Sequence, residues 1–152
     1  MTAGLRSIAT WLFTALYWFF ALPLVIFQPG RTRSYIRRWG AGCFWILNIR
    51  LLFENEPPFV NGGAAPRVIV CNHQSQLDVI WGACICPERP LAIGKRELIF
   101  IPVLNVLWWA FRFIRIDRRD SASAIAAIAG VGELIRREAR SLIMAPEGTR
   151  TP

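Results

Sequence analysis

Residues 68–85 read VIVCNHQSQLDVIWGACI. Val68-Ile69-Val70-Cys71 is a short, β-branched apolar run, which predicts a buried strand. Val79 to Ile85 is apolar again and predicts a helix. The polar loop between them holds His73, the only histidine of the chain, and Asp78. In α/β folds, functional groups stand beyond the carboxyl ends of strands. An imidazole there can take a proton near neutral pH, and a carboxylate can hold its tautomer and stabilise the imidazolium. With Asp78 in the first turn of the following helix, its side chain can turn back towards His73. Asn72 can brace the loop. Ser75 is either a nucleophile or a turn residue, and the turn role is favoured. On spacing alone, a surface histidine ahead of an unrelated aspartate is the competing reading.

Downstream the pattern alternates. Leu91-Ala92-Ile93, Phe113 to Ile116 and Leu142-Ile143-Met144 predict three more buried strands. Residues 97–111, with Pro102 early in the run, predict a helix. Ala122 to Arg140 predicts another, capped by Asp120 or Ser121. Ile125, Ile128, Val131 or Gly132, and Ile135 give that last helix one apolar face, and Glu133 and Arg137 form a favourable i,i+4 pair. Strands alternating with helices indicate an α/β domain with a mostly parallel sheet and flanking helices.

Three further charged clusters follow predicted strands. Lys95-Arg96-Glu97 follows the second and Arg115 to Arg119, with Asp117 among the arginines, the third. Pro146-Glu147-Gly148-Thr149-Arg150 follows the fourth. Arg118 and Arg150 suit anionic oxygens, since a guanidinium binds phosphate bidentately. Gly148 permits an unusual backbone angle, and Glu147 can orient Arg150 or a substrate hydroxyl. Each cluster alone reads equally as a solvated edge or a polar turn. A parallel sheet would bring all of them to one edge, together with His73.

Upstream the character changes. Residues 8–27, IATWLFTALYWFFALPLVIF, carry no charge, and twenty such residues in helix span ~30 Å, the thickness of a bilayer core. Pro23 is expected to kink or end the helix. Arg31, Arg33, Arg37 and Arg38 follow directly, which by the positive-inside rule puts the rest of the chain at the cytoplasmic face of the inner or plasma membrane. A second apolar stretch, Trp39 to Phe53, is short for a span. It predicts an interfacial helix or the return arm of a shallow hairpin. Pro57, Pro58, Gly62, Gly63 and Pro66 punctuate a break. The expected division is a membrane anchor over 1–56 and an α/β domain over 67–152. No closing helix or strand follows Arg150, so that domain is expected to be incomplete at its C-terminus.

The chain combines 54% hydrophobic residues and seven tryptophans with a net charge of +8. Such basicity suits nucleic acid or anionic lipid. The long uncharged apolar stretch favours the bilayer and argues against nucleic acid, because the aromatics gather in the apolar N-terminal part rather than among the basic residues. Cys43, Cys71, Cys84 and Cys86 lack zinc-ligand spacing and read as reduced, partly buried thiols, so no metal site is expected.

Taken together, these motifs resemble the lysophosphatidic acid (1-acyl-sn-glycerol-3-phosphate) acyltransferase family of the glycerolipid acyltransferases. Asn72, His73 and Asp78 match its Asn-His-x4-Asp motif. Ile116-Asp117-Arg118 matches its second motif, with Arg112 where a glycine is frequent and Arg115 where an apolar residue is usual. Pro146 to Arg150 matches its third, with Ala145 where an aromatic often stands. Lys95-Arg96-Glu97-Leu98 followed by Pro102 is similar to a further family segment. The likeness covers about Val68 to Thr151. It implies that His73 deprotonates the hydroxyl of a lysophospholipid, which attacks the thioester of acyl-CoA or acyl-carrier protein. Asp78 would support His73, while Asn72, Arg118, Glu147, Gly148, Thr149 and Arg150 would bind or shape the acceptor site. It implies no metal, no cofactor and no acyl-enzyme. Acylation of another lyso-lipid, or a non-catalytic module that binds anionic lipid, remain the alternatives.

Overall fold

The structure is a computed structural model that describes residues 2–55, 65–75, 77–95, 100, 105, 114–116 and 121–146. The chain forms two compact units. Residues 1–61 and 75–86 make the first, and residues 62–74 and 87–152 the second.

The first unit opens with α1, Ala3–Phe27. Thr2 starts it by accepting the Leu5 N–H. Pro23 lies inside the helix and does not end it. A single turn over Pro29–Arg31 leads into α2, Thr32–Leu47. α2 therefore begins within the arginine cluster, earlier than the apolar pattern predicts. It ends at Leu47, where Asn48 takes a left-handed conformation (φ 58°) that an asparagine tolerates. The two helices run antiparallel. Arg6 near the start of α1 donates to the Leu47 carbonyl at 3.2 Å, and Tyr17 donates to the Tyr35 carbonyl at 2.7 Å. Trp18, Ala21 and Val25 are buried on α1, and Ile36, Trp39, Cys43 and Phe44 on α2. Thr14 is buried too, and its hydroxyl accepts from the Trp39 indole at 3.2 Å, which satisfies both polar groups. The remainder of α1 is apolar and bare: Trp11, Leu12, Leu16, Phe19 and Phe20 are all exposed. Among the described residues, α1 is the one helix long and apolar enough to cross a membrane.

α3, Asp78–Cys84, also belongs to this unit. It packs on α2 rather than following the sequence boundary near residues 56–66, because α2 offers a bare backbone at Gly40. A Cβ there would stand 2.9 Å from Cys84 Sγ, 3.0 Å from the Ile80 carbonyl oxygen and 3.1 Å from Ala83 Cβ. Arg33 adds a second tie, donating from Nε to the Cys86 carbonyl at 2.9 Å.

The second unit holds a four-stranded sheet of β1 (Val68–Val70), β2 (Pro90–Lys95), β3 (Ile114–Ile116) and β4 (Ser141–Met144), in the order β1-β4-β2-β3. Every pairing is parallel. Helix α4, Ser121–Glu138, connects β3 to β4. Leu91 and Leu142 stand opposite each other in register and pack with Val131 of α4, joined by Ile93, Ile114, Leu134, Ile135 and Met144. Each fully buried aliphatic of this kind contributes ~1.5–3 kcal/mol.

Three expectations change. β1 is an edge strand, so Val68 and Val70, read as buried, are 54% and 60% exposed. Only part of the apolar face of α4 meets the sheet: Val131, Leu134 and Ile135 pack, while Ile125 and Ile128 face solvent. Glu133 pairs with Arg136 at 2.6 Å rather than with Arg137, because i,i+3 neighbours are as close on a helix as i,i+4. The predicted helix over 97–111 lies outside the described residues, save Phe100 and Asn105.

Ala139 ends α4 at φ 49°, a left-handed conformation that its Cβ disfavours by ~1 kcal/mol. Ala139→Gly is expected to stabilise the sheet unit by ~0.5–1 kcal/mol, read as a rise in the denaturation midpoint. An unchanged or lowered midpoint would refute that backbone assignment.

Candidate active site

Because all four strands are parallel, their carboxyl ends share one edge of the sheet. β1 and β4 are neighbours there. Val70 stands opposite Met144, and the Cys71 N–H continues the ladder by donating to the Met144 carbonyl at 3.1 Å. Asn72 and His73 leave β1 beside the point where Ala145 and Pro146 leave β4. β2 and β3 end in register at Lys95 and Ile116, at the same edge. Asn72 is exposed and His73 partly buried.

Between Gln74 and Ser75 the chain passes from the second unit to the first. Ser75 builds the turn that starts α3. Its hydroxyl accepts the Leu77 N–H at 3.1 Å, and its carbonyl accepts the Asp78 N–H at 3.3 Å. Asp78 Oδ2 accepts the Ser75 N–H at 3.0 Å. Asp78 thus reaches back to the Ser75 N–H while the Ser75 hydroxyl takes the Leu77 N–H. The exchange occupies Ser75 in the turn and holds the Asp78 carboxylate over the turn that leads into α3.

Arg118, Glu147, Gly148, Thr149 and Arg150 lie outside the described residues, as do Arg96, Glu97, Arg112, Asp117 and Arg119. The ends of the strands that carry them are described, and Pro146 is the last residue of the third motif to be seen.

The cysteines are all free thiols. Burial pushes the Cys84 thiol up to about 11, with Cys43 nearby adding to the rise, and pushes Cys86 up to about 12. Both therefore stay protonated at neutral pH and are poor nucleophiles. Cys71 lies against the Met144 carbonyl at 3.6 Å, beside the loop. Among the described residues no group of three His, Cys, Asp or Glu gathers as a metal-binding set. The sequence assigns Gly40 no role and reads Arg33 only as part of a basic cluster, yet these two α2 residues seat the Asp78 helix. The one signal was a Gly-Ala-Gly run inside a helix, at 40–42.

The described strands define an α/β domain in which the segments carrying the polar motifs start from the carboxyl edge of a parallel sheet. The chain belongs to the acyltransferase family: the family model described as Acyltransferase matches residues 51–152. It is similar to human 1-acyl-sn-glycerol-3-phosphate acyltransferase beta, 38% identical over 100 residues, which cover 66% of this chain and 36% of that protein. The 1-acyl-sn-glycerol-3-phosphate acyltransferase of Cocos nucifera is 32% identical over 112 residues, 74% of this chain and 35% of that protein. The Salmonella typhimurium enzyme of the same name is 33% identical over 84 residues, 55% and 34%. The chain thus spans about a third of the length of these curated relatives. The crystal structure of the 1-acyl-sn-glycerophosphate (LPA) acyltransferase PlsC from Thermotoga maritima matches with a TM-score of 0.58 and 24% identity. That match covers 97% of this chain and 64% of that one, and it supports the fold.

Two outcomes follow. Ser75→Ala is expected to lower stability by ~1 kcal/mol, through the lost turn acceptor, read as a lower denaturation midpoint; an unchanged midpoint would contradict the turn role. Cys84 and Cys86 are expected to resist alkylation at pH 7–8 in the folded protein. An unfolded thiol ionises near its ordinary 9.0, whereas the folded ones hold their protons to about 11 and about 12. Their contribution is therefore intact below pH 9 and is lost as pH rises from there through the folded values. Rapid alkylation at pH 7.5 without unfolding would contradict this.

Proposed function

We propose that the protein is an O-acyltransferase that moves a fatty acyl group from acyl-CoA or acyl-carrier protein to the free sn-2 hydroxyl of 1-acyl-glycerol-3-phosphate, giving phosphatidic acid for phospholipid synthesis. The observation that carries this reading is the adjacency of β1 and β4. The loop with the base and the loop that opens Pro-Glu-Gly-Thr-Arg begin on neighbouring parallel strands. The names of the relatives supply the acceptor.

In this reading His73 takes the proton of the acceptor hydroxyl as its oxygen attacks the thioester carbonyl. The tetrahedral intermediate collapses, the C–S bond breaks, and the thiolate leaves and picks up a proton. Asp78 holds the imidazole tautomer and stabilises the imidazolium. Arg118, Glu147 and Arg150 bind or position the phosphate end, with Gly148 and Thr149 shaping that loop and Asn72 bracing the first. The substrate brings its own nucleophile, so neither a protein nucleophile nor a cofactor is required. Much of the rate comes from holding hydroxyl, base and thioester together.

The lipid acceptor explains the bare apolar face of α1. The reading places α1 in the bilayer with the chain after it on the cytoplasmic side, where Arg31 and Arg38, both exposed, meet anionic headgroups.

The test supplies the purified protein in lipid with an acyl thioester and a panel of lyso-lipids, and follows thiol release. His73→Ala is expected to lose ~10²–10⁴-fold, with Asp78→Ala also strongly reduced. Release that both variants keep at the full rate sinks the mechanism, and a rate indifferent to the lyso-lipid offered sinks the acceptor. In a vesicle-flotation assay, serine at Trp11, Phe19 and Phe20 together is expected to cut membrane partitioning at least about a hundredfold, from the apolar area each ring would bury. Unchanged flotation would remove α1 from the bilayer.

A further inference from the structure

α2 is an unusual helix for a hairpin arm, because its ties run to the helix that carries the proposed catalytic carboxylate. Arg33, Arg37 and Gly40 fall on one stripe, at i, i+4 and i+7. Gly40 lets the α2 backbone approach Ile80, Ala83 and Cys84 so closely that even a methyl group would need the neighbours to give way. One of those neighbours is the Ile80 carbonyl, a main-chain atom that moves only with its helix. The Arg33 guanidinium holds the Cys86 carbonyl, just past the end of α3. α3 is only seven residues long and begins at Asp78, so a push near its C-terminal end is passed along its whole length. The other glycines of the helices do not press on α3. A Cβ at Gly82 meets nothing within 4 Å, and one at Gly42 would stand 2.5 Å from the Phe13 ring of α1, a side chain that does not belong to α3.

We propose that Gly40 and Arg33 are positioning residues for the acyl transfer: they seat α3 on α2, so that the apolar hairpin determines where the Asp78 carboxylate stands. This rests on the reading of His73 and Asp78 as the catalytic pair. A carboxylate that orients an imidazole is sensitive to displacement, and a misplacement of about 1 Å can cost ~10²-fold in rate. The arrangement links the part of the chain read as the membrane anchor to the chemistry. It gives α2 a role beyond attachment.

The experiment measures kcat and KM per folded protein, in the protein reconstituted in lipid, for Gly40→Ala, Gly40→Val, Arg33→Lys and Arg33→Met. Gly42→Ala and Gly82→Ala are the controls. Wild type and His73→Ala are measured first. A wild type that releases no thiol, or a His73→Ala that is fully active, overturns the catalytic reading itself. With that reading standing, Gly40→Ala is expected to lower kcat a few-fold and Gly40→Val more than tenfold, with KM for both substrates within twofold of wild type. Arg33→Met is expected to lower kcat similarly and Arg33→Lys to recover part of it, which covers the case in which Gly40→Val does not fold. Gly42→Ala and Gly82→Ala are expected to keep wild-type kcat. The proposal is overturned if the Gly40 and Arg33 variants lose only thermal stability at unchanged kcat, or if Gly42→Ala lowers kcat as much as Gly40→Ala.

Discussion

The parallel pairing of β1 with β4 is the constraint on which the rest depends. The two strands lie far apart in sequence, yet Val68, Ile69 and Val70 stand opposite Leu142, Ile143 and Met144. Parallel neighbours cannot be joined by a tight turn, so everything between them must form crossovers. Among the described residues α3, β2, β3 and α4 lie on that connection. Leu91 of β2 and Val131 of α4 pack with Leu142 of β4 in one small core, and that core fixes the register. Once it is fixed, the loops after β1 and β4 leave from the same edge without further adjustment. The chemistry proposed here uses that edge.

The second constraint acts within the hairpin unit. α1 and α2 could be held together by apolar packing alone, and much of the contact is of that kind. Gly40 and Arg33 do something different: they attach a short helix whose first residue is a carboxylate. The Ser75 N–H then holds the Asp78 carboxylate over the turn that leads into α3. Backbone geometry at one glycine and one arginine hydrogen bond thereby determine the place of a functional group several residues away.

Much of this was legible in the sequence. Each strand is a short β-branched or aliphatic run bounded by polar residues, so all four appear within a residue or two of where they were read. α1 was legible from its uncharged length. The start of α2 was not, because arginines suggest a break in an apolar pattern. They stay helical because two of them fall on the stripe that faces α3. Val68 and Val70 were misread as buried because periodicity reports an apolar strand without saying whether it lies at the centre or the edge of a sheet. Ile125 and Ile128 failed for a related reason, since an apolar stripe can be wider than the surface available to cover it. The grouping of α3 with the hairpin was invisible, as it depends on a close backbone approach. Of the candidate site residues, Asn72, His73 and Asp78 fall on described backbone, while Arg118 and Glu147 to Arg150, read from the charged clusters after strands and from the family resemblance, lie outside the described residues.

The pairing of β1 with β4 can be tested directly. With the four native cysteines replaced, Val70→Cys and Met144→Cys are introduced together, and the protein is oxidised mildly in lipid. Register partners on adjacent strands lie within the Cα separation that a disulfide bridges. The account predicts rapid, intramolecular cross-linking of this pair and none for Val70→Cys with Ile114→Cys, which lies across the sheet. Failure of the 70–144 pair to close, or equal closure of the 70–114 pair, would contradict the strand order that brings the two motifs together.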